Sequence, residues 1–148
     1  MNFLTFLLVG AFIIAISSSA YAMGTDIRFE HLYEAELATG IYFEEAPFET
    51  LPDHDAEIYA SDGMITIVYK CADGEEITAR KYTGSSELPE GEQSTVYTSG
   101  HMITLVNAPL DDGILAAAWS TENGSYTLTS NKPLSAERMQ QIAGEMIR

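Results

Sequence analysis

The chain has 148 residues, 46% hydrophobic and 20% charged, and its 22 Asp and Glu against 7 Lys and Arg leave a net charge of −15. That size fits one domain with a core of useful volume, and that charge excludes nucleic acid and anionic lipid headgroups as partners. It suits a solvated surface, attraction of cations, or a basic protein partner.

Residues 1–22 carry no charged side chain. An apolar run over residues 3–16 leads through Ser17, Ser18 and Ser19 to Ala20-Tyr21-Ala22, the pattern of a signal peptide cut after Ala22. No Lys or Arg precedes the run, so an uncleaved N-terminal membrane anchor is the alternative. The run, about fourteen apolar residues long, is short of the roughly twenty that span a bilayer, which favours cleavage. On either reading the rest of the chain is secreted or otherwise extracytoplasmic, with no membrane contact beyond that anchor.

Residues 26–39 read as a helix, with Phe29, Leu32, Tyr33 and Leu37 on one side, Thr25 or Asp26 as cap and Gly40 as its end. Over residues 41–55, Pro47 and Pro52 stand amid Glu44, Glu45, Glu49, Asp53 and Asp55, which leaves room only for a short strand at 41–43. The segment is expected to be an ordered connector. Its carboxylates and His54 lack the spacing of an EF-hand loop, and a solvated acidic surface is the plainer reading.

Strands then follow at short intervals. Residues 57–60 and 64–71 flank Asp62-Gly63, and a two-residue turn there pairs Ile58 with Ile67 and Ala60 with Ile65. At Ala72-Asp73-Gly74 a two-residue loop would throw Ile77 and Ala79 to the face opposite Ile67 and Tyr69. A three-residue loop with Gly74 left-handed corrects the phase, so that loop is predicted, with a strand over 76–82. Residues 84–93 form a polar loop. Residues 94–98 and 101–106 make a hairpin around Ser99-Gly100, with Val96 facing Ile103.

An Asn123-Gly124 type I′ turn sets Trp119 opposite Leu128 and Thr121 opposite Tyr126, with Leu115, Ala117, Trp119, Tyr126 and Leu128 on one face. The strand is expected to break at Asn131-Lys132-Pro133. Ser135 caps a closing helix whose dipole is complemented by Glu137 and Arg148, and whose stripe is Met139, Ile142, Ala143, Met146 and Ile147.

The expected fold is α+β: a mostly antiparallel meander sheet of about seven strands covered by N- and C-terminal helices. In domain terms, 1–22 is the signal peptide or anchor, 23–55 the helix and acidic Pro-containing linker, and 56–148 the sheet and closing helix. Residues 26–55 belong to the same domain as 56–148.

The strands Ile65-Thr66-Ile67-Val68-Tyr69, Ile77-Thr78-Ala79-Arg80-Lys81, Gly100-His101-Met102-Ile103-Thr104-Leu105 and Gly124-Ser125-Tyr126-Thr127-Leu128, with Ala117-Ala118-Trp119 and Leu134-Ser135-Ala136-Glu137, carry a resemblance. Over nearly all of residues 26–148 the chain resembles an uncharacterised family of exported or membrane-anchored Gram-positive, mainly clostridial, domains related to extracytoplasmic domains of anti-sigma-factor-like proteins. The resemblance implies an extracytoplasmic module and brings no catalytic residues with it. No cytoplasmic region precedes the apolar segment, which speaks against a complete membrane-spanning anti-sigma factor.

Nothing in the chain spells out chemistry. His31, His54 and His101 lack metal-ligand spacing, and neither a P-loop nor a G-x-S-x-G motif occurs. Acid pairs such as Glu75-Glu76 and Asp111-Asp112 fall in turns, Asn123-Gly124-Ser125 reads more simply as turn than as glycosylation acceptor, and Trp119 reads as core rather than ligand platform. Cys71 stands alone and shares its parity with Ile65, Ile67 and Tyr69, the setting of a buried thiol with no neighbouring base. The expectation is therefore a non-catalytic binding or sensing domain for a protein or small-molecule ligand. No catalytic, cofactor or metal residue is assigned. The alternative is a small hydrolase or cation-dependent enzyme, which requires carboxylates of the 44–57 link to converge on His101.

Overall fold

The computed structural model describes residues 26–43, 51, 53–110 and 112–147. Residues 1–25, which include the expected signal segment, the acidic stretch 44–50, Pro52, Asp111 and Arg148 lie outside the described residues.

The described chain forms one antiparallel sheet of eight strands with two helices: β1 (Ile27–Phe29), α1 (Leu32–Thr39), β2 (His54–Ser61), β3 (Met64–Cys71), β4 (Glu76–Tyr82), β5 (Gln93–Thr98), β6 (His101–Asn107), β7 (Ile114–Thr121), β8 (Gly124–Leu134) and α2 (Ala136–Met146). The strand order is β1-β2-β3-β4-β8-β7-β6-β5. Two four-strand meanders therefore meet where β4 pairs with β8, and the link from β4 to β5 crosses from the middle of the sheet to its far edge. A single meander is corrected on this point, because β8 takes the open side of β4 first.

The tight turns behave as side-chain alternation requires. Ile58 pairs with Ile67 and Ala60 with Ile65 around Asp62-Gly63. At the next turn Tyr69 pairs with Ile77 and Ile67 with Ala79, Cys71 N–H donates to the Glu75 carbonyl at 2.8 Å, and Gly74 is left-handed at φ +84°. That is the three-residue loop. Val96 pairs with Ile103 in the edge hairpin.

Other expectations are corrected as well. The first concerns residues 26–39, which divide into β1 and the eight-residue α1. Phe29 pairs with Ile58 across the β1–β2 ladder, satisfying backbone groups that β2 would otherwise leave open. α1 then packs through Ala35, fully buried, while Tyr33 and Leu37 are 59% and 80% exposed. A small side chain lets so short a helix lie close against strands.

Second, residues 41–43 alternate as a strand would, with Ile41 and Phe43 buried and Tyr42 exposed, yet they join no ladder. The segment is tied instead by Phe43 N–H donating to the Glu36 carboxylate at 3.3 Å and by the buried Lys81 ammonium donating to the Tyr42 carbonyl.

Third, Leu115 does not share the face of Ala117 and Trp119. Ala116 pairs with Thr129 but Ile114 pairs with Leu134, so Leu115 alone opposes Ser130 to Pro133. This bulge reverses the alternation, burying Ile114 in the main core and turning Leu115 to the opposite face.

Fourth, β8 does not break at Asn131 to Pro133 but runs to Leu134. Its pairing with β4 ends at Ser130. From there the Asn131 side chain replaces the ladder, accepting from Glu76 N–H at 2.9 Å and donating to the Gly74 carbonyl at 3.1 Å. Pro133 is tolerated because its missing N–H has no strand to serve.

Both helices cover one face. Ser135 Oγ accepts from Arg138 N–H at 3.1 Å as the N-cap of α2, and Met139, Ile142, Ala143, Met146 and Ile147 are all buried in the same cluster as Ile67, Trp119 and Leu128. The other face is different. It carries a smaller buried patch, Val106, Ala116 and Ala118. Part of its cover is the crossover 83–92, whose Gly91 runs so close that an added Cβ would stand 2.8 Å from Val106 Cγ1.

Candidate functional site

On that second face the register fixes a row across three neighbouring strands: Thr66 of β3 opposite Arg80 of β4, and Arg80 opposite Thr127 of β8. Directly opposed Cβ atoms in such ladders are about 5 Å apart, so the two threonines flank the arginine at contact range. Both are more than nine-tenths buried, Thr66 at 4% and Thr127 at 0% exposure, and neither hydroxyl has a hydrogen-bond partner among the described residues. A buried unsatisfied hydroxyl costs about 1–3 kcal/mol, which makes two of them beside one cation a feature to be accounted for.

Arg80 lines a groove of about 460 Å³ beneath the crossover, walled by Met64, Tyr82, Leu88 and Leu115, with Thr129 and Glu87 also in its lining. Among the described residues the Arg80 side chain makes no hydrogen bond or ion pair; the ion pairs there are Lys70 with Glu57 at 2.9 Å and Arg138 with Glu75 at 2.5 Å. Glu87 and Arg80 thus share one groove without meeting in an ion pair. A guanidinium offers a planar fork that fits a carboxylate at two points, and Glu87 is an acceptor-only group suited to an ammonium. Apolar side chains of Met64, Leu88 and Leu115 line the same groove.

Further along the same face, Tyr59 donates to Glu57 at 2.6 Å and Lys70 donates to its other oxygen at 2.9 Å. The Tyr59 hydroxyl first, and Lys70 second, hold the Glu57 carboxyl below the usual glutamate range. This cluster is satisfied within itself, unlike Arg80.

The histidines stay apart. His31 stacks on Tyr33, with ring centroids 5.5 Å apart, and His54 Nδ1 lies 2.7 Å from the Leu51 carbonyl. His101 opens β6 beside Glu122, Asn123 and Met146. Glu57 and His101 sit on β2 and β6, separated by five strand steps in the sheet order, or about 24 Å at the usual strand spacing. The described part of the acidic link therefore does not converge on His101. No group of three metal-ligating side chains occurs among the described residues.

Strand register also places His54 opposite Cys71, a neighbour that chain order conceals. The half-buried Cys71 thiol is nevertheless pushed up, by burial first and then by Glu75 and Asp73, so it stays protonated and is a poor nucleophile. Arg80 escaped the sequence reading because it sits among alternating polar residues of an ordinary strand. Only the crossover makes its position a groove.

Among the described residues no helix is long and apolar enough to cross a membrane. Compared with known proteins, the chain matches no family model, no curated protein and no solved structure.

Proposed function

We propose that this protein is an exported, non-catalytic binding domain that takes a small zwitterionic ligand in the Arg80 groove. The carboxylate of the ligand pairs with the Arg80 guanidinium, its ammonium with Glu87, and its apolar body rests on Met64, Leu88 and Leu115. The observation that carries this reading is the unpaired Arg80 flanked by the buried, unsatisfied Thr66 and Thr127 hydroxyls in a chain of net charge −15. In so acidic a protein, a guanidinium without an acid partner is held in reserve for a charge from outside. Export rests on the apolar run 3–16 and the Ala20-Tyr21-Ala22 site, and the proposed resemblance to exported Gram-positive domains on the residue pattern given above.

Calorimetric titration with leucine, 4-methylpentanoate and 3-methylbutylamine separates the contributions of the two charges. Leucine is expected to bind most tightly, and Arg80→Gln to weaken leucine and the carboxylate at least about tenfold while leaving the amine unchanged. Absence of any heat or melting shift with all three at about 10 mM defeats the ligand assignment, since a native-state ligand must stabilise the fold. N-terminal sequencing of the protein recovered outside the cytoplasm tests export, with Met23 expected as the first residue.

A further inference from the structure

We propose that the outer edge of β5 is a docking site for an extended, lysine- or arginine-bearing segment of another protein, which adds as a ninth strand. The site is distinct from the Arg80 groove and stands or falls without it.

β5 ends the sheet, and its register with β6 decides which backbone groups face outward. Asn107 N–H donates to the Glu92 carbonyl at 2.9 Å, so hydrogen bonding toward β6 falls on residues 92, 94, 96 and 98. The N–H and C=O groups of Gln93, Thr95 and Tyr97 therefore point away from the sheet. Edge strands are ordinarily guarded by charge, proline, a bulge or brevity. β5 has none of these: Gln93-Ser94-Thr95-Val96-Tyr97-Thr98 is uncharged, free of proline and in regular register for all six residues. The opposite edge, β1, is guarded, being three residues long with Arg28 at its centre.

The surroundings specify the occupant. Between Lys81 and Lys132 the sequence has no Lys or Arg, against Glu87, Glu90, Glu92, Asp111, Asp112 and Glu122. β5, β6 and β7 thus carry no Lys or Arg, and Arg138 of the helix packed on them is already paired with Glu75. α2 lies alongside, with Gly144 allowing close approach to Thr98, where an added Cβ would stand 3.2 Å from Thr98 Cγ2. The cleft between them is lined by Tyr97, Thr98, Glu137, Gln140 and Gln141. An added strand would bond to the three outward residues, set one side chain against Tyr97, which is 76% exposed, and bring a cation toward Glu137. A second copy of this chain would instead bring two surfaces together whose strands carry no Lys or Arg and whose one helix cation is already paired, which charge opposes.

The test uses the capped peptide Lys-Val-Lys-Val-Lys-Val-Lys, its glutamate counterpart, and its version N-methylated at alternate residues, each titrated into the exported form. Binding of the lysine peptide is expected to slow amide exchange at Gln93, Thr95 and Tyr97 at least about tenfold, because those N–H groups gain partners. The glutamate peptide is expected to leave exchange there unchanged, and N-methylation in the bonding register to weaken binding about tenfold or more. Thr95→Pro deletes one outward donor at a position where an edge strand tolerates proline, and is expected to lower affinity with little change in melting. Should that variant unfold, the N-methylated peptide still reports on the ladder without altering the protein. Equal binding of the N-methylated and unmodified peptides, unchanged exchange at the three residues, or a concentration-dependent dimer abolished by Thr95→Pro would each overturn the proposal.

Discussion

Trp119 and Tyr126 face one another across β7 and β8 with their rings stacked, centroids 5.5 Å apart and planes 5° from parallel. An Asn123-Gly124 turn would have set Trp119 opposite Leu128. Instead Glu122-Asn123 is the two-residue loop, Thr121 pairs with Gly124, and Leu128 pairs with Ala117. Two residues of slip leave every side chain on its face, so the interior survives the change of partner. What Gly124 serves is close approach: a Cβ there would lie 2.7 Å from the Tyr82 carbonyl oxygen.

Trp119, 4% exposed, is at the centre of this cluster. Trp119→Ala is expected to destabilise the fold by about 3–5 kcal/mol, and Tyr126→Leu by roughly 1 kcal/mol through loss of the stacking. Urea unfolding followed by far-ultraviolet circular dichroism measures both, and a Trp119→Ala cost below that of Tyr126→Leu would contradict the core placement.

Two glycines separate backbone conformation from crowding. Gly100 is left-handed at φ +78° with nothing near its Cβ position, whereas Gly124, at φ +143°, abuts β4. Gly100→Ala should cost about 1 kcal/mol and Gly124→Ala clearly more, since only the second forces two strands apart. Equal midpoints for the two variants would show that β8 is not held against β4 as described.

The Ser135 hydroxyl caps α2 through Arg138 N–H. Ser135→Ala is expected to lower stability by about 1 kcal/mol and Ser135→Gly by only a few tenths. The ordering of the two variants in thermal melts is the check.

Acid stability carries the signature of Glu57. Its carboxyl is held low in the folded protein by Tyr59 and then Lys70. A folded-state value below the unfolded one means that the stabilisation is present above the ordinary glutamate range and is lost as pH falls through the lower, folded value. Glu57→Gln removes that dependence, so the variant's melting temperature should fall less steeply on acidification than that of the parent.

Burial raises the Cys71 thiol, leaving little thiolate near neutrality. Iodoacetamide at about pH 8 should alkylate the native protein at least tenfold more slowly than the urea-unfolded chain. Mass spectrometry of timed quenches gives the two rates, and similar values would indicate that the thiol is open to solvent and activated.

Local chemistry was legible without coordinates wherever a short-range rule governs it. The Asp62-Gly63 turn, the corrected phase at Gly74, the Ser135 cap and the stripe from Met139 to Ile147 each depend on residues within a few positions of one another, so turn geometry and side-chain period suffice. The failures have another origin. Whether residues 27–29 coil into α1 or pair with β2, whether β8 continues past Pro133, and which way Leu115 points all depend on strands distant in the chain, whose open backbone groups and buried volumes settle the competition. The Arg80 groove belongs wholly to this second kind. Arg80, Thr66 and Thr127 look like ordinary solvent-facing strand residues in the sequence; they form one row only because β8 enters beside β4, and Arg80 lines a groove only because the 83–92 crossover passes over the face they share.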